Sequence, residues 1–358
     1  MGLKPLTILN DHEYFAEITH RIAATKSGGR VALMSMSFGP TEQLTKPLMR
    51  ELIRAATRGV RVQLNVDANS FMIGEHNLPT GPMFWHDDPS RTKQAQYRAK
   101  FEALEALRMS GGHCRITNLP GRRLTNPFAG RSHIKFTVIN DAVYVGGCNL
   151  DSTWQLDLMV RLEDAKTADW VYDFILAAAR TGNVAEALNR KDVAIPIDGA
   201  TTLFVDSGVK HQSLIYGQAL RLIDEAKDWI VLTCQFFPGS TTAEHLAAAH
   251  KRGVKVEVYF GHQANQGALS LPHRLAEWRE RIKYPKELFT GRVAKNLPRL
   301  HAKLLATEVG AMIGGHNYVI QGVNFGTAEA TLLRRGSDFA HQTVEVFEAR
   351  LKEARQDM

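Results

Sequence analysis

Apolar runs divide the chain into short predicted strands and longer amphipathic helices, and these runs occur twice in the same order. Val31–Phe38 and Ile230–Phe237 are largely apolar segments of the length expected for buried strands. An Arg-Gly-Val sequence, at Arg58 and again at Arg252, ends a predicted helix and opens a strand of alternating apolar residues. The order predicts one α/β unit in two copies, because the period is much longer than that of a solenoid repeat.

Each copy also contains a predicted β-hairpin. In the first copy, the apolar segments Ile134–Ile139 and Val143–Val145 flank a short polar turn. In the second copy, Leu304–Leu305 and Met312–Ile313 flank Gly310 in the same way. The hairpins extend the internal repeat over most of the chain.

The length agrees with two domains, because 358 residues correspond to two units at about 150 residues each. We predict an N-terminal domain at residues 1–194 and a C-terminal domain at residues 195–358. The charged amphipathic segment 343–358 is predicted to be a capping helix rather than a membrane anchor. The apolar fraction of 44% is ordinary for a globular protein.

The most informative repeat is polar. The sequence Arg-x-His-x-Lys occurs at 131–135 and at 299–303, and Gly-Gly-x-Asn follows at 146–149 and at 314–317. In both copies the second glycine lies 14 residues after the histidine. Because side chains alternate along a strand, the histidine and the lysine of each copy are predicted to project from one face. The residues concerned are Arg131, His133, Lys135, Asn149, Arg299, His301, Lys303 and Asn317.

These residue types suit the cleavage of a phosphodiester. Lysine ammonium and asparagine amide groups are donors for the nonbridging oxygens, on which charge builds in the transition state. One histidine can attack phosphorus while the other protonates the leaving oxygen. Each copy supplies a single histidine, so we predict an active site at the interface of two halves that face each other across a pseudo-twofold axis.

The two motifs resemble those of the phospholipase D superfamily, His-x-Lys-x4-Asp followed by Gly-Gly/Ser-x-Asn in two copies. The resemblance implies an α/β fold with an αβαβα sandwich in each half, a phosphohistidine intermediate and no metal or other cofactor. By analogy with two-motif relatives, it implies that His133 is the nucleophile and His301 the general acid. Lys135, Lys303 and the two motif asparagines are then expected to bind the phosphoryl oxygens.

Two places in the resemblance involve acidic residues. Asn140 and Glu308 stand where the family has its aspartate, and we expect them to support the fold rather than the chemistry. Asp157 and Glu329 begin comparable apolar runs after each Gly-Gly-x-Asn, and we interpret them as carboxylates that orient the histidines. A surface position at a strand start is the alternative for these two. We also count Arg131, Arg299 and His316 as substrate-binding candidates.

The substrate class is less sharply defined by the sequence. The net charge of +7 and the basic segments before each histidine favour an anionic partner. Gly-Gly-x-Asn and the run Trp154–Glu163 resemble the cardiolipin synthase-like branch, which implies an anionic phospholipid at a membrane surface. Nucleic acid is the alternative substrate. The acceptor, alcohol or water, and the oligomeric state stay open.

The cellular location follows from what the chain does and does not contain. Three cysteines without metal-ligand spacing favour a reducing compartment. We recognise no signal peptide and no apolar stretch of spanning length. The expectation is therefore a cytoplasmic protein, with peripheral attachment at the inner face of the membrane as an option.

One segment separates the two copies. Between the Arg-Gly-Val turn and the histidine, the first copy has 75 residues and the second has 49. The additional residues include a predicted helix near Thr92–Met109 and the apolar, Gly- and Pro-containing segment Phe71–Trp85. That segment is either a lid or acyl-chain groove, or a loop packed on its own domain.

Overall fold

The computed structural model of the chain describes residues 6–71, 91–119, 130–151, 155–261, 270–289, 291–293 and 297–356. Its N-terminal half contains eight strands and five helices among the described residues. They are β1 Thr7–Asn10, α1 Asp11–Ala24, β2 Arg30–Ser35, α2 Thr45–Thr57, β3 Arg61–Asp67, α3 Arg91–Met109, β4 His113–Thr117, β5 Phe136–Ile139, β6 Ala142–Gly146, β7 Gln155–Leu156, β8 Leu158–Glu163, α4 Ala165–Thr181 and α5 Val184–Ala187.

The C-terminal half repeats this order with small changes. Its elements are β9 Val193–Pro196, β10 Thr201–Ser207, α6 Leu214–Glu225, β11 Trp229–Cys234, α7 Thr241–Lys251, β12 Lys255–Phe260, α8 Ser270–Lys283, β13 Gly291–Arg292, β14 Arg299–Leu300, β15 Leu304–Thr307, β16 Gly310–Gly314, α9 Ile320–Phe325, β17 Ala328–Arg335 and α10 Ser337–Gln356. Short 3-10 turns lie at Ala68–Phe71 and Lys286–Phe289.

The two sheets have the same strand order. The first runs β4-β3-β2-β5-β6-β8-β1, and the second runs β13-β12-β11-β15-β16-β17-β10 with β9 added at its edge. In each sheet the first three strands are parallel and the others pair antiparallel. The predicted α/β fold of two similar sandwich halves is therefore confirmed.

Local sequence signals set the ends of several helices. Asn10 caps α1 because its side chain accepts from the Glu13 backbone N–H at 2.9 Å, while the Glu13 carboxylate accepts from the Asn10 N–H at 2.9 Å. Gly182 ends α4 with a φ of 71°, a left-handed conformation that favours glycine. Between these signals, α1 and α4 are amphipathic, and each buries one apolar face in the core.

Three apolar clusters divide the interior. One lies within the first half beneath α1 to α3, and another lies within the second half beneath α6 and α7. The largest contains residues of both sheets together with α4 and α10, so a continuous core joins the halves. Burial of this apolar surface is the main force that holds the two histidine motifs at a fixed separation.

The predicted helix near Thr92–Met109 is confirmed by α3, which spans Arg91–Met109. The predicted capping helix is confirmed by α10, which buries Phe339, Phe347 and Leu351 in the shared core. Of the segment Phe71–Trp85, the residues after Phe71 lie outside the described part of the chain.

The division between the predicted domains falls within a strand. Val193–Pro196 forms β9, which pairs with β10 in the second sheet. We therefore propose a boundary before Val193 instead of after residue 194. Across the described ranges, every helix is too short or too polar to cross a bilayer.

Candidate active site

Short backbone pairings between the halves place both histidines at the domain interface. β14, directly before His301, pairs in parallel with β7 of the other half. Ser132, directly before His133, forms an equivalent bridge with Ala328. The backbone N–H of His133 donates to the Ala328 carbonyl at 2.7 Å, and that of His301 donates to the Leu156 carbonyl at 2.9 Å.

The two histidines precede the hairpin strands instead of lying within them. β5 begins at Phe136 and β15 at Leu304, so the expected placement of His133 and Lys135 on a strand is wrong by a few residues. The cause is the pairing with the other half, which takes the hydrogen bonds that a hairpin partner would otherwise form.

Each histidine is oriented by a carboxylate of the opposite half. His133 Nδ1 lies 3.1 Å from both carboxylate oxygens of Glu329, and His301 Nδ1 lies 2.6 Å from Asp157 Oδ2. An ionised carboxylate only accepts hydrogen bonds, so Nδ1 carries the hydrogen and the Nε2 lone pair is left for chemistry.

The imidazole rings face one shared space. Their centroids are 6.3 Å apart, with an angle of 71° between the ring planes. The exposed fraction is 7% for His133 and 3% for His301. The two rings therefore lie close enough for one bound group to contact both of them.

Burial sets the protonation state of this pair. It lowers the pKa of His133 to about 4, against the opposing charge of Glu329. Burial, together with Lys303 and Arg299, lowers the pKa of His301 well below its ordinary value. Both imidazoles are therefore neutral at pH 7 before an anion binds, as a nitrogen nucleophile requires.

The carboxylates respond differently to their burial. Burial raises the pKa of Asp157 to about 6. For Glu329 burial also acts upward, but the charge and hydrogen bond of His133 outweigh it and leave the pKa below its ordinary value. Glu329 is thus the more firmly ionised of the two, and His133 has the stronger electrostatic support for a positively charged ring.

Two buried lysines lie beneath the histidines. Lys135 Nζ donates to the His133 carbonyl at 2.7 Å, and Lys303 Nζ donates to the His301 carbonyl. Burial lowers the pKa of Lys135 to about 8 and that of Lys303 to about 7. An ammonium group has three donor hydrogens, so each lysine can hold its histidine backbone and still donate to an anion.

The Gly-Gly pairs let the orienting carboxylates approach the motif. A Cβ atom at Gly147 would lie 2.0 Å from Asp157 Oδ1. One at Gly315 would lie 2.6 Å from Glu329 Oε2 and 2.7 Å from the His133 carbonyl. Any side chain at these positions would displace a carboxylate, which explains why glycine occurs in both copies.

The motif asparagines differ in their burial. Asn149 is 3% exposed, and Asn317 is half-buried. Asn317 Oδ1 is buried and has no hydrogen-bond partner within the described ranges. Each asparagine lies two residues after the glycine that the orienting carboxylate approaches.

The two motif arginines have different surroundings. Arg131 is buried and donates to the Asn118 carbonyl at 3.0 Å. Burial lowers the pKa of its guanidinium group, and the charge of Asp67 acts in the opposite direction. Burial lowers the pKa of Arg299, and the charges of Asp151 and Asp157 act in the opposite direction. The positive charge of Arg299 in turn helps to lower the pKa of His301. Arg299 therefore belongs electrostatically to the histidine pair, whereas Arg131 has a structural partner at the end of β3.

Asn140 and Glu308 have corresponding structural positions. Asn140 adopts a φ of 52° in the β5–β6 turn and accepts from the Arg30 N–H at 3.2 Å. Glu308, in the β15–β16 turn, accepts from the Lys227 N–H at 2.7 Å and the Trp229 N–H at 3.3 Å. Each residue ties its hairpin to the start of a central strand, and neither is near the histidines.

His316 lies close to the site with a defined tautomer. Its Nδ1 accepts from the Tyr318 N–H at 2.9 Å, so the hydrogen is on Nε2. Burial lowers the pKa of His316, and Glu329 acts in the opposite direction.

Sequence reasoning missed Asp151, whose charge raises the pKa values of Lys135 and Arg299 against the effect of burial. Its only sequence signal is an acidic residue two positions after the first motif asparagine, where the second copy has Val319.

The fold and the paired motifs define an enzyme of the phospholipase D superfamily. The family described as "Cardiolipin synthase, PLD-like domain" matches residues 18–175 and 219–351, and the chain belongs to this family. A comparison with curated proteins gave no significant match.

Similar solved structures support the same fold. The phosphatidylserine synthase of Haemophilus influenzae Rd KW20 has a TM-score of 0.70 at 14% identity, over 98% of this chain and 86% of that one. A polyphosphate kinase from Porphyromonas gingivalis has a TM-score of 0.56 at 11% identity, over 97% of this chain and 50% of that one. At these identities the likeness concerns the fold alone.

Proposed function

We propose that the protein transfers the phosphatidyl group of an anionic phospholipid to an alcohol or to water through a phosphohistidine intermediate. The observation that carries this proposal is the pair of neutral histidines, 6.3 Å apart, each oriented through Nδ1 by a carboxylate. A phosphodiester between the rings would lie within reach of Lys135 and Lys303. Membership in the cardiolipin synthase-like family supports a phospholipid as substrate.

In the first step His133 Nε2 attacks phosphorus, and the bond from phosphorus to the leaving oxygen breaks. The leaving oxygen takes a proton from His301, which the bound anion has allowed to become protonated. Glu329 stabilises the positive charge that His133 acquires. The two lysines and the motif asparagines donate to the nonbridging oxygens, where charge accumulates.

In the second step the roles of acid and base are reversed. The acceptor oxygen loses its proton to His301 Nε2 as it attacks phosphorus, and the phosphorus–nitrogen bond breaks. His133 returns to its neutral form. The same geometry serves water and an alcohol, so the acceptor is decided by the groups around His301, including Arg299.

The proposal is tested by incubating the purified protein with phosphatidylglycerol vesicles and, in parallel, with single- and double-stranded DNA and RNA, all in EDTA. We expect cardiolipin or phosphatidic acid from the vesicles and no product with the His133→Ala variant. If nucleic acid is cleaved and the vesicles are unchanged, the protein is a nuclease and the lipid proposal is wrong. Equal lipid turnover by the His133→Ala variant would exclude the covalent mechanism.

The lysine pKa values predict how binding depends on pH. Lys303 and Lys135 are cationic below their pKa values of about 7 and about 8 and neutral above them. A phosphodiester keeps its single negative charge throughout this range, so we expect its affinity to fall as the pH rises through both values. Calorimetric titration of a short-chain, soluble phosphatidylglycerol measures the effect.

The control for this titration is the Lys303→Arg variant. A guanidinium keeps its charge over the whole range, so the loss of affinity should then follow Lys135 alone and shift to higher pH. An affinity that stays constant to about pH 9, well above both lysine pKa values, would show that the lysines do not hold the phosphoryl group.

A further inference from the structure

Helix α8 presents an apolar stripe to solvent. Leu275, Trp278 and Ile282 are 56%, 61% and 68% exposed. Their spacing of three, four and seven residues places all three on one face of the helix. Single exposed apolar residues are common on protein surfaces, whereas several on one helical face form a contiguous apolar patch, which is a candidate interaction surface.

Positive charge lies along the same side of the helix. Arg279 and Lys283 directly follow Trp278 and Ile282 and are exposed. The acids of α8 are turned away from this side. Glu277 is 5% exposed and pairs with Arg281 at 2.8 Å, and Glu280 is half-buried.

The inner face of α8 packs on the part of the second half that leads to the histidines. Glu280 lies against Gly239, in the loop between β11 and α7, and Tyr284 lies beside Glu244 of α7. β11 pairs with β15, and Thr233 near its end donates to the Ala302 carbonyl at 3.1 Å, next to His301. Helix α8 therefore packs on the loop that follows the end of β11, the same strand end that contacts the residue next to His301.

We infer that the α8 surface, formed by Leu275, Trp278, Ile282, Arg279 and Lys283, docks the protein onto an anionic phospholipid surface. The apolar side chains enter the boundary between headgroups and acyl chains, and the two cations contact lipid phosphates. A helix of this kind lies in the plane of the interface. The inference rests on the proposed function, because an enzyme that acts on phospholipids must bind to the membrane or vesicle that contains its substrate.

The experiment separates docking from catalysis by using two substrates. The variant Leu275→Ala/Trp278→Ala/Ile282→Ala is compared with the wild-type protein in sedimentation with phosphatidylglycerol vesicles. It is also assayed on vesicles and on a soluble short-chain phosphodiester below its micellar concentration. We expect binding to vesicles and turnover on vesicles to fall by roughly tenfold or more, with turnover of the soluble diester unchanged.

Two controls define the specificity of this result. Met109→Ala removes an apolar side chain that is 80% exposed at the end of α3, and it should leave vesicle binding unchanged. Arg279→Gln/Lys283→Gln should weaken binding to anionic vesicles and have little effect with vesicles of phosphatidylcholine alone.

Several outcomes would overturn the inference. One is equal vesicle binding by the triple variant and the wild-type protein. Another is a wild-type dimer, detected by sedimentation velocity, that the triple variant cannot form, since α8 would then be a contact between copies. Binding to nucleic acid in place of vesicles would also exclude it. Because sedimentation is independent of turnover, absence of lipid chemistry in a protein that docks would refute the proposed function alone.

Discussion

The His133→Ala variant should lose turnover by roughly 10^4- to 10^6-fold, because His133 is the residue on which we propose that the covalent intermediate forms. Of the two histidines in the site, His133 is paired with the carboxylate whose pKa is lowered, that of Glu329, and this pairing favours a positive charge on the ring. Removal of the ring leaves the lysines to bind a substrate that has no nucleophile. Initial rates on phosphatidylglycerol, with circular dichroism to check folding, measure this loss.

A labelling experiment then distinguishes the roles of the two histidines. With a phosphodiester whose leaving group is p-nitrophenolate, departure needs no proton, so the His301→Ala variant should still form the intermediate. It lacks the base that activates the acceptor, and radiolabelled protein should therefore accumulate. The His133→Ala variant should stay unlabelled. The reverse pattern would exchange the roles of His133 and His301.

The matched control for both variants is His245→Ala. His245 also has its Nδ1 bonded to a carboxylate, Asp224 at 2.7 Å, but this pair lies on the surface of the second half. Loss of turnover in this variant would indicate that the effect at His133 comes from a general disturbance of the fold.

The second large effect is expected for Asp157→Asn, with a loss of kcat of roughly 10^2- to 10^4-fold. An asparagine amide that donates to Nδ1 selects the imidazole tautomer with its hydrogen on Nε2. His301 is then unable to accept the proton of the acceptor. The loss should be smaller than that of His133→Ala, because a fraction of the rings can keep the correct tautomer.

Each orienting carboxylate lies in the opposite half from its histidine, and this crossed pairing can be tested by labelling. Asp157→Asn should give the same accumulation of labelled protein that we expect for His301→Ala, although Asp157 is in the first half. Glu329→Gln should instead reduce labelling, as His133→Ala does. Asp224→Asn serves as the matched control. The crossed pairing would be contradicted if Asp157→Asn behaved like His133→Ala and Glu329→Gln behaved like His301→Ala.

Most of the fold can be predicted from the internal repeat in the sequence. The Arg-Gly-Val turns at Arg58 and Arg252 and the hairpins after each histidine were enough to predict two α/β halves, and the sheets confirm the shared order. The strand limits next to His133 and His301 were not predictable, because backbone pairing with the other half decides them. A pattern along one chain segment contains no information about a partner segment far away in sequence.

The candidate site shows the same limit. Asp157 and Glu329 were identifiable as acids at matching places, but the sequence does not reveal that each serves the histidine of the other copy. The two arginines occupy identical motif positions, yet only Arg131 has Asp67 nearby. The signal for that difference is present in the chain, since the position equivalent to Asp67 in the second copy is Gly261.

The crossed pairing also affects the biosynthesis of the protein. Glu329 lies 196 residues after His133, and domains that emerge first from the ribosome generally fold first. During synthesis, a folded N-terminal half would therefore present His133 without the carboxylate that fixes its tautomer. The ring of His133 becomes oriented only after β17 has been translated and the C-terminal half has docked, so a truncated chain that lacks β17 would be released without the His133–Glu329 pair.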